Sequence, residues 1–192
     1  MNKKRFNMKK LALASALALT LLAPSAFANT AVQSGKVTFS GKVIDTTCYV
    51  KTDDQNKTVT LPSVAKSAFT KKGDVAGQTA FEITITGCTN VATGSNQGGV
   101  HWLVDANVDV TTGTLKNTLT SGQATNVNLQ LVDANLKTIK IGATDDVSNI
   151  NYVALQNNQD KTVRFYAQYY ATDTGVTAGD VQAIAKFELV YK

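Results

Sequence analysis

Two cysteines, Cys48 and Cys88, and a single histidine, His101, are the side chains best suited to covalent or metal chemistry in this sequence. A metal site needs three or four ligands, and one histidine beside two distant cysteines is a poor set. No Gly-x-Ser-x-Gly elbow accompanies His101, so it reads as a structural strand residue rather than a general base. Asp105, Asn107 and Asp109 imitate the opening of a calcium loop. The position that needs glycine is Val110, however, and the one that needs glutamate is Lys116. Asn56-Lys57-Thr58 is a formal glycosylation sequon of a kind common by chance. Tyr166, Tyr169 and Tyr170 offer rings on which a sugar could stack, although sheet packing and subunit contact is the stronger reading of them. No catalytic, cofactor-binding or metal-ligating residue is expected.

The cysteines take their meaning from the start of the chain. Lys3, Lys4, Arg5, Lys9 and Lys10 precede an uncharged run from Leu11 to Leu22. Such a run is too short to span a bilayer and suits the apolar region of a signal peptide. Ala26-Phe27-Ala28 supplies a small-x-small cleavage site, so residues 1–28 read as a leader and Asn29 as the mature N-terminus. The leader holds five of the 19 basic residues and none of the 14 acidic ones, leaving 14 against 14. A net charge of +5 thus shrinks to formal neutrality, and the case for nucleic-acid binding goes with it. Export leads to an oxidising compartment, where a cysteine pair most often forms a structural disulfide. Closing a loop of about 41 residues would stabilise the fold by roughly 4 kcal/mol in the chain-entropy picture.

The elements between these residues read as strands. After the leader the chain holds 25 threonines and one proline, Pro62, a composition that favours pleated sheet. Phe81, Ile83 and Ile85 alternate with polar residues up to Gly87-Cys88, and Val127, Leu129 and Leu131 do the same. Val163, Phe165, Ala167 and Tyr169 share one face, with Arg164, Tyr166, Gln168 and Tyr170 opposite. Period-two patterning buries one face and wets the other. Polar clusters at Thr93 to Gly99, Thr111 to Gly122 and Thr144 to Asn151 read as loops, and only Ser63 to Phe69 suits a short helical turn. The expectation is one all-β sandwich domain of residues 46–192, preceded by an extension of residues 29–45.

Both ends of the mature chain carry unusually regular stripes. Val181, Ala183, Ala185, Phe187, Leu189 and Tyr191 fall on one face of an expected strand that runs almost to the last residue. Near the other end Val37, Phe39 and Val43 alternate, and Gly41 occupies the position between Phe39 and Val43. A glycine within an apolar stripe weakens a strand unless something must approach closely there.

In these residues the chain resembles the major subunits of chaperone–usher pili, of the type 1 and P fimbrial kind. The resemblance runs through Gly35 to Cys48, Leu61-Pro-Ser-Val, Gly73-Asp-Val-Ala-Gly77, Phe81 to Cys88 and Thr125 to Asp133. It is most specific at the end, where Gly179 is fourteenth from the C-terminus and Tyr191 penultimate. The pair His101-Trp102 has no place in that pattern. The resemblance implies an incomplete immunoglobulin-like β-sandwich that lacks its last strand and is completed by donor-strand exchange, a form of β-strand addition. Val37, Phe39, Gly41 and Val43 would be the donated stripe. Gly179, Val181, Ala183, Ala185, Phe187, Leu189 and Tyr191 would line the accepting, chaperone-binding C-terminal strand. Implied partners are other subunits in a head-to-tail homopolymer, a periplasmic immunoglobulin-like chaperone and an outer-membrane usher. The implied location is a surface fimbria reached through the periplasm. A minor or adaptor subunit shares every motif, and a monomeric exported carbohydrate-binding sandwich is the alternative from another class.

Overall fold

The computed structural model describes residues 35–41, 43–92, 96–143 and 150–192. The expected leader, residues 1–28, and the start of the extension lie outside them, as do parts of two expected loops, residues 93–95 and 144–149. The chain divides between residues 42 and 43 into two units. Residues 35–41 of the first contain no helix or strand, and Val37 and Phe39 are 74% and 90% exposed.

The second unit is a sandwich of two sheets. Its strands are β1 (Thr47–Val50), β2 (Val75–Thr89), β3 (Gln97–Leu103), β4 (Val108–Asp109), β5 (Thr114–Leu115), β6 (Val127–Asp133), β7 (Thr138–Ile139), β8 (Val153–Ala154), β9 (Lys161–Ala171) and β10 (Lys186–Tyr191). The larger sheet has the order β1-β2-β9-β6-β5-β4, with β7 also paired to β6, and the smaller is β10-β3-β8. All of these pairings are antiparallel.

The alternating stripes form the core where the two inner faces meet. Ile83, Ile85, Val163, Phe165 and Leu131 of the larger sheet pack with Val100 and Trp102 of the smaller. The Cys48–Cys88 disulfide sits in the same cluster and ties β1 to β2. Four rings, Phe81, Phe165, Trp102 and Phe187, join the layers, with centroids 5.2 to 6.1 Å apart. Such edge-to-face and offset pairs add to what their buried area contributes.

Several expectations change. Gln97 to Gly99 and Thr114-Leu115, read as loop because they are polar or isolated, pair as strands. The turn within Ser63 to Phe69 is a 3-10 turn at Lys66–Ala68. A one-turn helix, α1 (Thr52–Gln55), is added directly after β1. Its Asp54 is buried and accepts bonds from the Thr84 amide at 2.7 Å and from Lys57 Nζ at 2.6 Å. The three tyrosines do not share a surface, because neighbours on a strand face opposite ways. Tyr166 and Tyr170 lie on the outer face, whereas the Tyr169 ring packs against the backbone of Gly77, where an added Cβ would come within 2.9 Å of it.

Candidate functional site

An open stretch of the described core lies beside the last strand. β10 pairs on one side with β3, in register from Lys186–Leu103 to Tyr191–Gly98. It stands at the end of its sheet, so no strand pairs with its other side among the described residues. The expected strand from Val181 to Tyr191 is therefore shorter than its stripe. Lys186 meets Leu103, the last residue of β3, so the chain before it has already run past the end of its partner. Gly179, Val181, Ala183 and Ala185 precede the strand, and only Phe187, Leu189 and Tyr191 of the expected set lie in it. Gly179 packs so tightly on the backbone of Gln123 and Ala124 that a Cβ has no room, which fixes the path of the chain into this stretch.

The stripe itself holds. Val181, Ala183, Ala185, Phe187, Leu189 and Tyr191 are half-buried, while Gln182, Ile184, Lys186 and Glu188 are exposed. Beside Ala183, Ala185 and Phe187 runs a groove of about 380 Å³. Leu61 and Val59 stand on its opposite rim, and its floor includes Phe81, Trp102, Leu129 and Leu131. A second hollow, of about 560 Å³, extends past Leu61 to Val181 and Gly179. The lining also includes Asp54 and Lys57, which pair with each other, and no metal-binding cluster lies among the described residues; what the apolar side chains can do is shield further apolar side chains from water. Each aliphatic or aromatic side chain buried there is worth about 1.5–3 kcal/mol.

Trp102, which had no assignment, is a groove residue. It is opposite Phe187 in the register and 4% exposed, while His101 on the other face meets Glu188, Nδ1 to Oε1 at 3.1 Å. Its period-two spacing from Val100 was the signal that could have placed it. Leu61 lies outside any strand and gave no such signal.

Tyr191, at the end of β10, reaches across to the other sheet. Its hydroxyl accepts the Cys48 amide at 3.2 Å and lies 3.4 Å from the Cys48 carbonyl, to which it donates. The edge strand of one sheet is thereby joined to the edge strand of the other.

The donor stripe predicted at Val37, Phe39, Gly41 and Val43 is not a strand here. Val43 is 99% exposed, and a Cβ at Gly41 would meet nothing within 4 Å. Extended backbone becomes sheet only through a ladder partner, and these residues have none in the described structure.

Comparison with known proteins accords with this arrangement. The family model described as Fimbrial protein matches residues 37–192. The F17 fimbrial protein of Escherichia coli is 40% identical, the match covering 91% of this chain and 96% of that protein. The major fimbrial subunit SMF-1 of Stenotrophomonas maltophilia is 37% identical over 82% of this chain and 92% of its own. The P pilus rod subunit PapA has the same fold at a TM-score of 0.57 and 16% identity, over 76% of this chain and 99% of that one. A subunit structure from a chaperone–usher pilus aligns at 0.53 and 19% identity, over 84% and 98%. With a family match across the whole sandwich and relatives alike over nearly their full length, this chain belongs to the fimbrial protein family.

Proposed function

We propose that this fimbrial subunit is a major subunit that polymerises head to tail, each copy giving its N-terminal stripe to the groove of the next. The observation that carries this reading is an apolar groove beside an edge strand with no ladder partner on its open side among the described residues. Val37, Phe39 and Val43 are the donated residues and Gly41 the point of closest approach. The accepting surface is formed by Val181, Ala183, Ala185, Phe187, Leu189 and Tyr191, with Gly179 at its entrance. Burying the three donated side chains contributes roughly 5–9 kcal/mol, and each ladder hydrogen bond about 0.5–1.5 kcal/mol more. Residues 1–28 act as the cleaved leader, 29–45 as the donor extension and 46–192 as the receiving domain. The chain passes through the periplasm, where a chaperone fills the groove, and leaves by an outer-membrane usher to a surface fimbria. It has no enzymatic role.

An unfilled apolar groove beside a bare strand edge is an aggregation hazard. The mature chain expressed without a chaperone should therefore aggregate or be degraded. Fusing a copy of residues 34–45 after Lys192 through a short linker should yield a soluble monomer. A cooperatively folded monomer from the unmodified mature chain would refute the incomplete-domain reading.

A further inference from the structure

The bond between Tyr191 and Cys48 lies where the two ends of the chain's polymer contacts meet. Residues 43–46 lead directly into Cys48. Thr46 donates to the Asn90 carbonyl at 3.0 Å and accepts from Asn96, and Asn90 Nδ2 donates to Asp45 at 3.1 Å. Cys48 is bonded to Cys88. Every one of these ties runs back toward the strand pair β1–β2 or the segment between β2 and β3. Only the Tyr191 hydroxyl, of the bonds described at Cys48, reaches β10.

This matters under tension. β1 is four residues long and is an edge strand whose only ladder partner among the described residues is β2, to which the Cys48–Cys88 disulfide also ties it. A pull applied through residues 35–45 can open only the Thr47–Thr89 pair before it reaches the Cys48–Cys88 disulfide, which passes it into β2 and the larger sheet. The opposing pull enters at β10, which belongs to the other sheet. Cys48 lies at an irregularity in the β1–β2 register, and its amide is satisfied by a side chain of the other sheet.

We propose that the Tyr191 hydroxyl is a clasp that passes tension from the root of the outgoing segment straight into the accepting strand. Through its hydroxyl Tyr191 is then a positioning residue, in addition to its ring's place in the accepting stripe: it holds the two loaded edges together. The tension rests on the polymer reading above; the clasp geometry does not.

The test compares fibres from cells making the full chain with fibres carrying Tyr191→Phe, which keeps the ring and removes the hydroxyl. Residue-resolved amide exchange should show the Cys48 amide about tenfold faster in the variant, the effect of losing one hydrogen bond, with core amides of β9 unchanged. Single-fibre stretching should show the first irreversible extension at lower force. An unchanged Cys48 amide or an unchanged force would overturn the clasp. If the variant assembles no fibre, wild-type fibres decide alone: a Cys48 amide exchanging as fast as an unprotected one overturns it, and a protected one supports it. Absence of fibres from the wild-type chain would instead count against the polymer reading and leave the Cys48 amide to be measured on the subunit.

Discussion

β9 and β10 carry the same sequence pattern and sit in opposite circumstances. Each alternates apolar and polar residues. β9 has β2 on one side and β6 on the other, and its Val163, Phe165 and Ala167 are buried. Among the described residues β10 has β3 on one side only, and its Phe187, Leu189 and Tyr191 remain half-exposed. Alternation reports which face of a strand is apolar, but not how many neighbours the strand has. A finished strand has its stripe covered and both edges paired. An unfinished one has a covering still to come, and its apolar face states what chemistry that covering must have.

Mutations can sharpen the contrast. The largest effect is expected at the finished strand: Phe165→Ala should cost about 3–5 kcal/mol of subunit stability. Denaturant unfolding of the self-complemented monomer would measure it, and the subunit should vanish from the periplasm. Next comes Gly41→Asn, where burying an unpartnered amide costs about 1–3 kcal/mol in the joint between subunits. Periplasmic subunit should stay at normal levels while heat-resistant polymer on a gel falls sharply. Normal polymer would show that position 41 enters no neighbouring groove, and loss of the subunit would mark it as part of an internal strand. At the unfinished strand, Phe187→Ala should cost the self-complemented monomer more than the roughly 1–1.5 kcal/mol that a half-buried ring contributes by itself, because the fused segment covers it further. A loss no larger than that would mean that the groove is not where the partner binds.

The smallest effect is one of pH. Burial pushes the Asp54 carboxyl up, but hydrogen bonds from Lys57 and Thr84 outweigh it and hold the group below the ordinary aspartate value of 3.8. A lowered folded value means stability that is fully present above the unfolded value and lost as pH falls through the folded one. Asp54→Asn should therefore lower stability at neutral pH and flatten the acid limb of the unfolding curve below about pH 4, so that variant and parent converge in acid. An unaltered acid limb would remove Asp54 from that account.

Much of this was legible in the sequence, for reasons that differ by residue. The stripes at Phe81 to Ile85, Val127 to Leu131 and Val163 to Ala167 announced the inner face, because a period of two can bury only one side of a sheet. The Cys48–Cys88 bond followed from an export signal and the lack of other ligands. The end of the β10 ladder was not legible, since it depends on where β3 stops. Nor was the rim at Leu61, which lies on backbone with no periodicity. Gln130 and Gln168 read as solvent-facing, yet both are buried. Their amides satisfy each other across strands, and no single-strand pattern encodes such a pairing.

Those two amides belong to a row that crosses three strands. Gln78 Nε2 donates to Gln168 Oε1 at 3.2 Å, and Gln168 Nε2 donates to Gln130 Oε1 at 2.8 Å. The row lies on the outer face of the larger sheet, away from the groove. Carboxamides neither titrate nor carry net charge, so dissolved ions have nothing to screen and protons nothing to neutralise. The exposed Arg164–Glu82 pair beside it, by contrast, is open to both. Across that face the three central strands are thus cross-linked by bonds indifferent to salinity and acidity, the two variables that an exported surface meets with least buffering from the cell.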